Sequence, residues 1–469
     1  MSSTITEMAL TETDALNREL GTSDIKKLLV KYTVAALIGQ VLQMCQITAD
    51  GIFVGNEIGT NGLATIGIII PLLVITIATG SLIGVGASSL AAIHLGEGRI
   101  EQARSLFGQS IWYSLILSIS VSVLAMMNVE SIVHFFGATG DLVASASAYT
   151  SVFFYGFPFT VTGCVLYFFV RLDEKPFIGI LALTVPAVVA IAIEYLCIFK
   201  FHIGIASSAI AFNVCVGSWF LIGLYFLLNK ETIFKIKFSD IKLNFKDINE
   251  INRTGFASFI VQVSFSSVAI VINKLLIVYG KPLDRASFGI INAYMMYIFS
   301  IIVTLGFTLG LQPIVSYNYG AKKFARVKKA LIDSIKYTII TMTTLTAILF
   351  TFQDPIVSFF AGNSPDLIQA TKNNMHIYLL LFTLGAVSFV VSGYFQAIEH
   401  NKKAIFNGCT RNIIFVVPLL YMFPKFLGLT GIWMALPIAD TLSFVVAAIM
   451  VIGELKRLNQ LMLHEEFEL

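Results

Sequence analysis

The stretch LATIGIIIPLLVITIATGSLIGVGASSLAAI, residues Leu63–Ile93, contains no charged side chain and decides the fold class. A run of roughly 20 apolar residues has the length that crosses a lipid bilayer as an α-helix. Similar blocks recur along the 469 residues, of which 57% are hydrophobic and 13% are charged, whereas soluble domains are about 25% charged. Membrane β-barrels would show short alternating segments instead. The sequence therefore predicts an all-α polytopic membrane protein.

Twelve apolar segments are candidate transmembrane spans. They cover residues 28–54, 62–94, 105–128, 146–170, 177–199, 203–228, 252–279, 286–318, 330–352, 375–397, 405–424 and 429–454. One long polar segment, Asn229–Arg253, separates six spans from six. The predicted divisions are a cytoplasmic tail at 1–24, an N-lobe at 25–228, a cytoplasmic linker at 229–251, a C-lobe at 252–454 and a cytoplasmic tail at 455–469.

The distribution of basic residues predicts the orientation, because cytoplasmic loops carry the excess of lysine and arginine. With both termini inside, most of the 31 basic residues fall in inner segments. The outer loops hold only Lys200, Lys281, Arg285, Lys372 and Lys425. The first 24 residues lack the basic and apolar regions of a signal peptide. We therefore expect a multi-pass protein of the inner (plasma) membrane with cytoplasmic N- and C-termini.

The two halves of the chain carry a weak internal repeat at the end of their second span. GVGASSLAAIHLGEGRIEQA begins at Gly84, and TLGLQPIVSYNYGAKKFARV begins at Thr308. A constant offset aligns Gly86 with Gly310, Gly96 with Gly320 and Arg99 with Lys323. Both halves enter the membrane from the same side, so they are parallel repeats. Such repeats are typical of transporters that bind substrate between the halves.

The first span contains a polar stripe in an otherwise apolar helix. At 100° per residue, Gln40, Gln43, Gln46 and Asp50 fall within a sector of about 120°. Polar groups at membrane depth turn away from lipid, toward protein or water. We therefore expect Asp50 to be a protonatable carboxyl group facing a cavity. The alternative is an aspartate at the outer interface that caps a loop.

Four motifs, in order along nearly the whole chain, resemble multidrug and toxic compound extrusion (MATE) transporters. They are ADGIFVGNEIGTNGLATIG, GVGASSLAAIHLGEGRIEQA, GLQPIVSYNYGAKKFARVKKAL and RNIIFVVPLLYMFPKFLGLTGIWMALPIAD, which begin at residues 49, 84, 310 and 411. The sequences of the last two motifs look most similar to the bacterial DinF-like branch. The resemblance implies two pseudo-symmetric six-helix bundles around a central cavity. It also implies export of organic, often cationic, compounds, driven by inward flow of H⁺ or Na⁺.

Glu194, in the segment AIAIEYL of the fifth span, stands where the resemblance places an aspartate of the family. Two carboxylates that face one dry pocket repel each other, so one of them holds a proton at neutral pH. We therefore expect Asp50 and Glu194 to couple ion flow to transport. The alternative is a lone neutral glutamate with a structural role.

The choice between H⁺ and Na⁺ rests on departures from the family pattern. Ala190 stands where the family has an asparagine, and Phe212 stands where a small hydroxyl residue is common. A hard cation needs several oxygen ligands to replace its water. We therefore expect H⁺ rather than Na⁺, although Na⁺ at Asp50 and Glu194 stays open, and Asn213 could supply an oxygen.

Further polar and aromatic residues are candidates for the lining of the cavity. They are Gln43, Gln46, Tyr155, Asn213, Asn273 and Lys274. Lys274 is the repeat equivalent of Asp50, and it either faces the cavity or extends its side chain to the outer interface. Tyr155 lies in the aromatic run VFFYGFPF, which otherwise serves lipid or core packing. Asp333, Lys336 and Asp440 lie near span ends, and we expect them at the membrane interface.

Other function classes fit less well. A flippase for a lipid-linked precursor, or an exporter of one natural product, would belong to the same superfamily, but a flippase should carry more basic residues inside its cavity. An intramembrane enzyme would place histidines within spans, whereas all six lie near span ends or in loops. We expect no enzyme activity, cofactor, metal site or disulfide, no nucleic-acid partner, and a monomer that handles small organic substrates in the bilayer.

Overall fold

The chain is helical throughout the residues that the computed structural model describes, which are 18–229, 232–234, 243–291, 302–361 and 364–468. The helices, in chain order, are α1 (Glu19–Thr22), α2 (Ile25–Glu57), α3 (Thr60–Gly96), α4 (Ile100–Met126), α5 (Val129–Phe135), α6 (Leu142–Leu172), α7 (Pro176–Tyr195), α8 (Ala206–Gly217), α9 (Ile222–Leu228), α10 (Phe245–Tyr279), α11 (Pro282–Ile290), α12 (Ile302–Gly320), α13 (Phe324–Thr351), α14 (Gln353–Ala361), α15 (Pro365–Tyr378), α16 (Phe382–Ala397), α17 (Asn401–Cys409), α18 (Val417–Leu427) and α19 (Leu429–Glu468). Two π-helical segments, Leu196–Lys200 and Thr410–Val416, extend α7 and join α17 to α18.

The described chain contains ten or eleven of the twelve predicted spans. Ten of its helices are long and apolar enough to cross a bilayer, and α15 with α16, bent by 52° at a short break, makes an eleventh if the pair is one broken span. Part of the predicted eighth span, residues 292–301, lies outside the described residues. The predicted fold class, an all-α polytopic membrane protein, is therefore confirmed.

The chain forms two units whose boundaries fall inside helices. One unit contains residues 38–262 together with the described residues before Ser23, and the other contains residues 23–37 and 263–469. The boundaries differ from those of the predicted lobes, because the start of α2 belongs to the second unit and the start of α10 belongs to the first. The first and seventh spans therefore each contribute to both units.

In the first unit, α10 packs on α3 at two glycines. A Cβ atom added at Gly255 would lie 1.7 Å from the backbone oxygen of Leu82. One added at Gly86 would lie 2.2 Å from the backbone oxygen of Ile251. Small residues allow this approach of two helix backbones. Polar contacts hold the start of α10 as well, since Gln109 Nε2 donates to Asp247 Oδ2 at 2.7 Å.

In the second unit, the start of α2 packs on α12 in a comparable way. A Cβ atom at Gly310, the repeat partner of Gly86, would lie 2.4 Å from Thr33 Oγ1. Arg326 holds the chain two residues before α2, because its Nη2 donates to the Ser23 carbonyl oxygen at 2.6 Å. The repeated glycine therefore permits a close helix contact in both halves.

The turns between helices also repeat in the two halves. Gly98 and Lys322 both adopt left-handed backbone conformations, with φ of 77° and 55°. The residues that follow, Arg99 and Lys323, have ψ of 64° and 63°. The offset between the pairs is the one that aligns the sequence repeat. The weak sequence similarity therefore reflects a real structural repeat.

At the end of α6, a buried polar network in the first unit holds the segment before α2. Arg18 lies 3.7 Å from Asp173 and 3.6 Å from Glu174, measured between charged atoms. Tyr225 donates its hydroxyl to Asp173 Oδ2 at 2.6 Å. Burial raises the pKa of the Asp173 carboxyl, and the hydrogen bond from Tyr225 opposes that rise. The Asp173 network thus anchors the chain ahead of its first span.

The expectation that Asp440 lies at the membrane interface is wrong. Asp440 is fully buried inside α19, where it accepts a hydrogen bond from Arg411. Arg411 lies in the π-helical segment between α17 and α18 and is buried as well. Because hydropathy along one chain cannot show a partner on another helix, each residue by itself looks like a charge near a span end.

Candidate functional site

The polar stripe of α2 is turned inward in the first unit. Gln46 is 4% exposed, and Gln43 and Asp50 are half-buried. The apolar Val41 and Ile47 on the same helix are 48% and 45% exposed. In this part of the helix the polar stripe is therefore better shielded than Val41 and Ile47, which is the arrangement expected of a membrane helix with an internal polar face.

Asp50 and Glu194 come together in this unit. Their carboxyl groups lie near each other and interact electrostatically. Glu194 is fully buried, and neither of its oxygens, nor Oδ1 of Asp50, receives a hydrogen bond from a described donor. Two oxygens that are both acceptors attract each other only when a proton or a cation lies between them. The pair can therefore bind a positive charge.

Packing between α2 and α7 brings the two acids together. A Cβ atom at Gly39 would lie 2.0 Å from Leu183 Cδ1, so the helices approach closely below the acids. About one turn beyond Asp50, the ring of Phe53 contacts Tyr195 and Phe199, with centroids 6.0 and 5.7 Å apart. The π-helical segment begins two residues after Glu194, and such segments are frequent at functional sites.

Two hydroxyl residues that the sequence analysis missed complete the surroundings of the acids. Tyr149 of α6 lies close to Ser208 of α8, and its hydroxyl interacts electrostatically with Asp50 and Glu194. Both residues are 2% exposed. A signal existed for Ser208, because it precedes Phe212 by one helical turn and lies on the same face. The sequence contained no such signal for Tyr149, because a tyrosine in a helix rich in aromatic residues usually serves packing.

The positions that depart from the family pattern are apolar or occupied by other contacts. Ala190 is fully buried, and the Phe212 ring packs on Phe153 with centroids 5.6 Å apart. Asn213 donates its Nδ2 to the Val152 carbonyl oxygen at 2.8 Å. A Cβ atom at Gly156 would lie 2.1 Å from Asn213 Cγ, so this glycine makes the room for the amide.

The remaining predicted cavity residues are exposed. Tyr155 in the first unit is 67% exposed. Asn273 and Lys274 belong to the second unit and are exposed on α10. Their roles in substrate binding stay predictions, as do those of Gln43, Gln46 and Asn213.

A family comparison identifies the chain. The MatE family profile matches residues 35–196 and 257–422, one segment in each half. Two solved structures show the same fold over 94% of this chain. One is a MATE protein in complex with MaL6, at 22% identity and a TM-score of 0.88 over 99% of its own chain. The other is an outward-facing multidrug resistance MATE family transporter of the MOP superfamily, at 23% identity and a TM-score of 0.88 over 98% of its chain.

Relatives of known name cover the chain almost from end to end. The multidrug export protein MepA of Staphylococcus saprophyticus is 25% identical over 92% of this chain and 94% of its own length. The protein of the same name from Staphylococcus haemolyticus is 24% identical over 93% and 95%. The DinF-like branch stays a prediction. The chain belongs to the MATE family of multi-pass membrane transporters.

Proposed function

We propose that this protein is a proton-coupled antiporter that exports organic cationic or amphipathic compounds. The observation that carries the proposal is the contact between Asp50 and Glu194, two acids without a described hydrogen-bond donor at three of their four oxygens. One proton shared between the carboxyl groups joins them, and its loss leaves two negative charges that repel each other. Proton binding therefore changes the force between α2 and α7.

Exchange of protons for substrate follows because both compete for the negative charge of Asp50 and Glu194. When the carboxyl groups are ionised, they attract a cationic substrate to the first unit. When they bind a proton, that attraction falls, and the substrate is released. A ligand shifts a conformational equilibrium only by the difference in its affinity for the two states. Here the proton and the substrate favour opposite charge states of one acid pair, so a proton gradient can drive export.

Sodium is the competing coupling ion. The hydroxyl of Tyr149 lies near the acids and could add one oxygen ligand. Apolar Ala190 and Phe212 supply none. Sodium needs several oxygens to replace its hydration shell, whereas a proton needs only the two carboxyl groups. The site chemistry therefore favours H⁺.

The class of substrate is proposed from the relatives and from the charge of the site. Both staphylococcal relatives carry the name multidrug export protein. An acid pair without a described basic partner suits organic cations. The bacterial relatives and the Lys/Arg distribution suit a plasma-membrane protein with cytoplasmic termini. The monomeric state stays a prediction.

The experiment is transport of ethidium, an organic cation, in proteoliposomes that contain the purified protein. A pH gradient and a Na⁺ gradient of equal driving force are imposed separately, with the membrane potential clamped. We expect the pH gradient alone to drive ethidium accumulation. Accumulation driven by Na⁺ alone would overturn the choice of ion. Accumulation driven by neither gradient would overturn the antiport mechanism.

A further inference from the structure

The second unit contains a buried ion pair that the proposed mechanism does not use. Arg411 donates its Nε to Oδ1 of Asp440, and the two side chains are 2% and 0% exposed. Asp440 lies in α19 and Arg411 in the π-helical segment after α17, both within membrane-spanning helices. Charges at membrane depth are costly and usually functional.

The surroundings of this pair fit its shape and charge. The guanidinium carbon of Arg411 lies 5.1 and 5.6 Å from the ring centroids of Phe382 and Phe389, and aromatic faces attract cations. Its Nη1 donates to Asn412 Oδ1 at 2.9 Å. A Cβ atom at Gly385 would lie 2.2 Å from Asp440 Oδ1, so residue 385 leaves the space that the carboxylate occupies.

The buried acids of the two units differ in their partners. Glu194, Asp440 and Glu454 are each 0% exposed. Asp440 is paired with Arg411, and Glu454 receives hydrogen bonds from Arg457 at 2.6 Å and from Tyr394 at 3.0 Å. Glu194 interacts with Asp50, Cys197 and Tyr149, none of which is basic. Among the described residues, each fully buried acid of the second unit thus contacts a guanidinium, whereas that of the first contacts another acid.

Protonation has opposite consequences at these two kinds of site. A proton on the Asp50–Glu194 pair removes repulsion. A proton on Asp440 would leave Arg411 as an unpaired cation between two phenylalanine rings, which costs several kcal/mol. Within the described part of the chain, Tyr378 is a further titratable group that interacts with this pair. It carries no charge at neutral pH and cannot replace the carboxylate as a partner.

We infer that Arg411 keeps Asp440 ionised throughout the transport cycle and thereby confines proton coupling to Asp50 and Glu194. This inference deepens the proposed function, and its statement about proton coupling rests on that function. The ionisation of Asp440 is a separate statement. Arg411 then sets the number of coupled protons. Without it, Asp440 would become a second proton-binding site in addition to the Asp50–Glu194 pair.

The direct test is infrared spectroscopy of protonated carboxyl groups during a pH titration around neutrality. The starting protein is Asp50→Asn/Glu194→Gln, which removes the acids of the first unit. Adding Arg411→Met and Asp440→Asn together replaces the ion pair by neutral side chains. We expect the two proteins to give the same carboxyl spectra. A protonated-carboxyl signal that is present in Asp50→Asn/Glu194→Gln and disappears when Arg411→Met and Asp440→Asn are added would show that Asp440 binds a proton beside Arg411. That result would overturn the inference.

The converse test creates the second site. Arg411→Met alone, in otherwise wild-type protein, should add a protonated-carboxyl signal that Arg411→Met/Asp440→Asn lacks. The number of protons moved per ethidium should rise in the single variant and return to the wild-type value in the double variant. An unchanged signal in a folded Arg411→Met protein would contradict the inference.

The two tests separate the possible failures. Arg411→Met could fail to fold because Asp440 is left without a partner. The first infrared comparison still decides whether Asp440 binds a proton, because Arg411→Met and Asp440→Asn together leave no charged side chain at this position. If the proposed function is wrong, the infrared signals of proton binding will not depend on Asp50 or Glu194. That outcome would leave the result for Asp440 unaffected.

Discussion

Glu194→Gln is expected to uncouple transport from the proton gradient while the protein stays folded. Glutamine has nearly the same shape as protonated glutamic acid, but it cannot lose a proton. If one proton exchanges for one monovalent cation, wild-type protein can accumulate ethidium about tenfold for each unit of pH difference, because one unit corresponds to about 1.4 kcal/mol per proton. The variant should show an accumulation ratio near one at every gradient.

The measurement is the ethidium accumulation ratio in proteoliposomes across a series of imposed pH gradients. Asp50→Asn should give the same flat dependence, because the proton is shared between both carboxyl groups. Glu57→Gln is the matched control, since Glu57 is an exposed acid near the end of the same helix as Asp50. It should keep the wild-type slope. A steep dependence in Glu194→Gln would show that this acid does not carry the coupling proton.

Gly255→Ala should have the largest effect on folding. Its Cβ atom would lie 1.7 Å from the backbone oxygen of Leu82 and 2.6 Å from the carbonyl carbon. Backbone atoms of a helix cannot rotate away as a side chain can, so α3 and α10 would have to separate. Overpacking of this kind typically costs about 1–3 kcal/mol and occasionally more. We expect a cost at or above the upper end of that range.

The effect is measured as folded yield and thermal unfolding of the purified protein in detergent. Gly67→Ala is the matched control, because Gly67 lies inside α3 and a Cβ atom there meets no atom within 4 Å. Alanine in a helix interior is favoured over glycine by about 1 kcal/mol, so the control should be as stable as wild type or more stable. A Gly255→Ala protein with wild-type yield and unfolding temperature would mean that the α3–α10 contact is looser than described.

Much of the fold could be predicted because the bilayer restricts what a chain can do. Apolar blocks such as Leu63–Ile93 had to be helices, since lipid offers no partner for backbone polar groups. The repeat was visible at Gly86 and Gly310 because a close helix contact tolerates few other residues. The unit boundaries inside α2 and α10 were not predicted, since hydropathy finds a span without showing what each half of it contacts.

The candidate site was predicted only in part. Helical periodicity placed Asp50 on an inward face, and the family resemblance pointed to Glu194. Neither could show that the two carboxyl groups touch. Tyr149 was missed because its hydroxyl comes near the acids only after α6 packs beside α7, and Ser208 was missed because it lies next to Tyr149 only in the folded chain. Asp440 was placed wrongly because Arg411, its partner, lies on another helix.

The sequence by itself determined the membrane class, the helical fold, the repeat and the presence of costly acids in the spans. These follow from local composition and periodicity, which each segment carries along its own length. The tertiary structure alone decided how two of the acids are paired: Asp50 with Glu194, and Asp440 with Arg411. The pairing depends on which side chains meet across helices, and the electrostatic energy of a buried charge is set by its nearest partner.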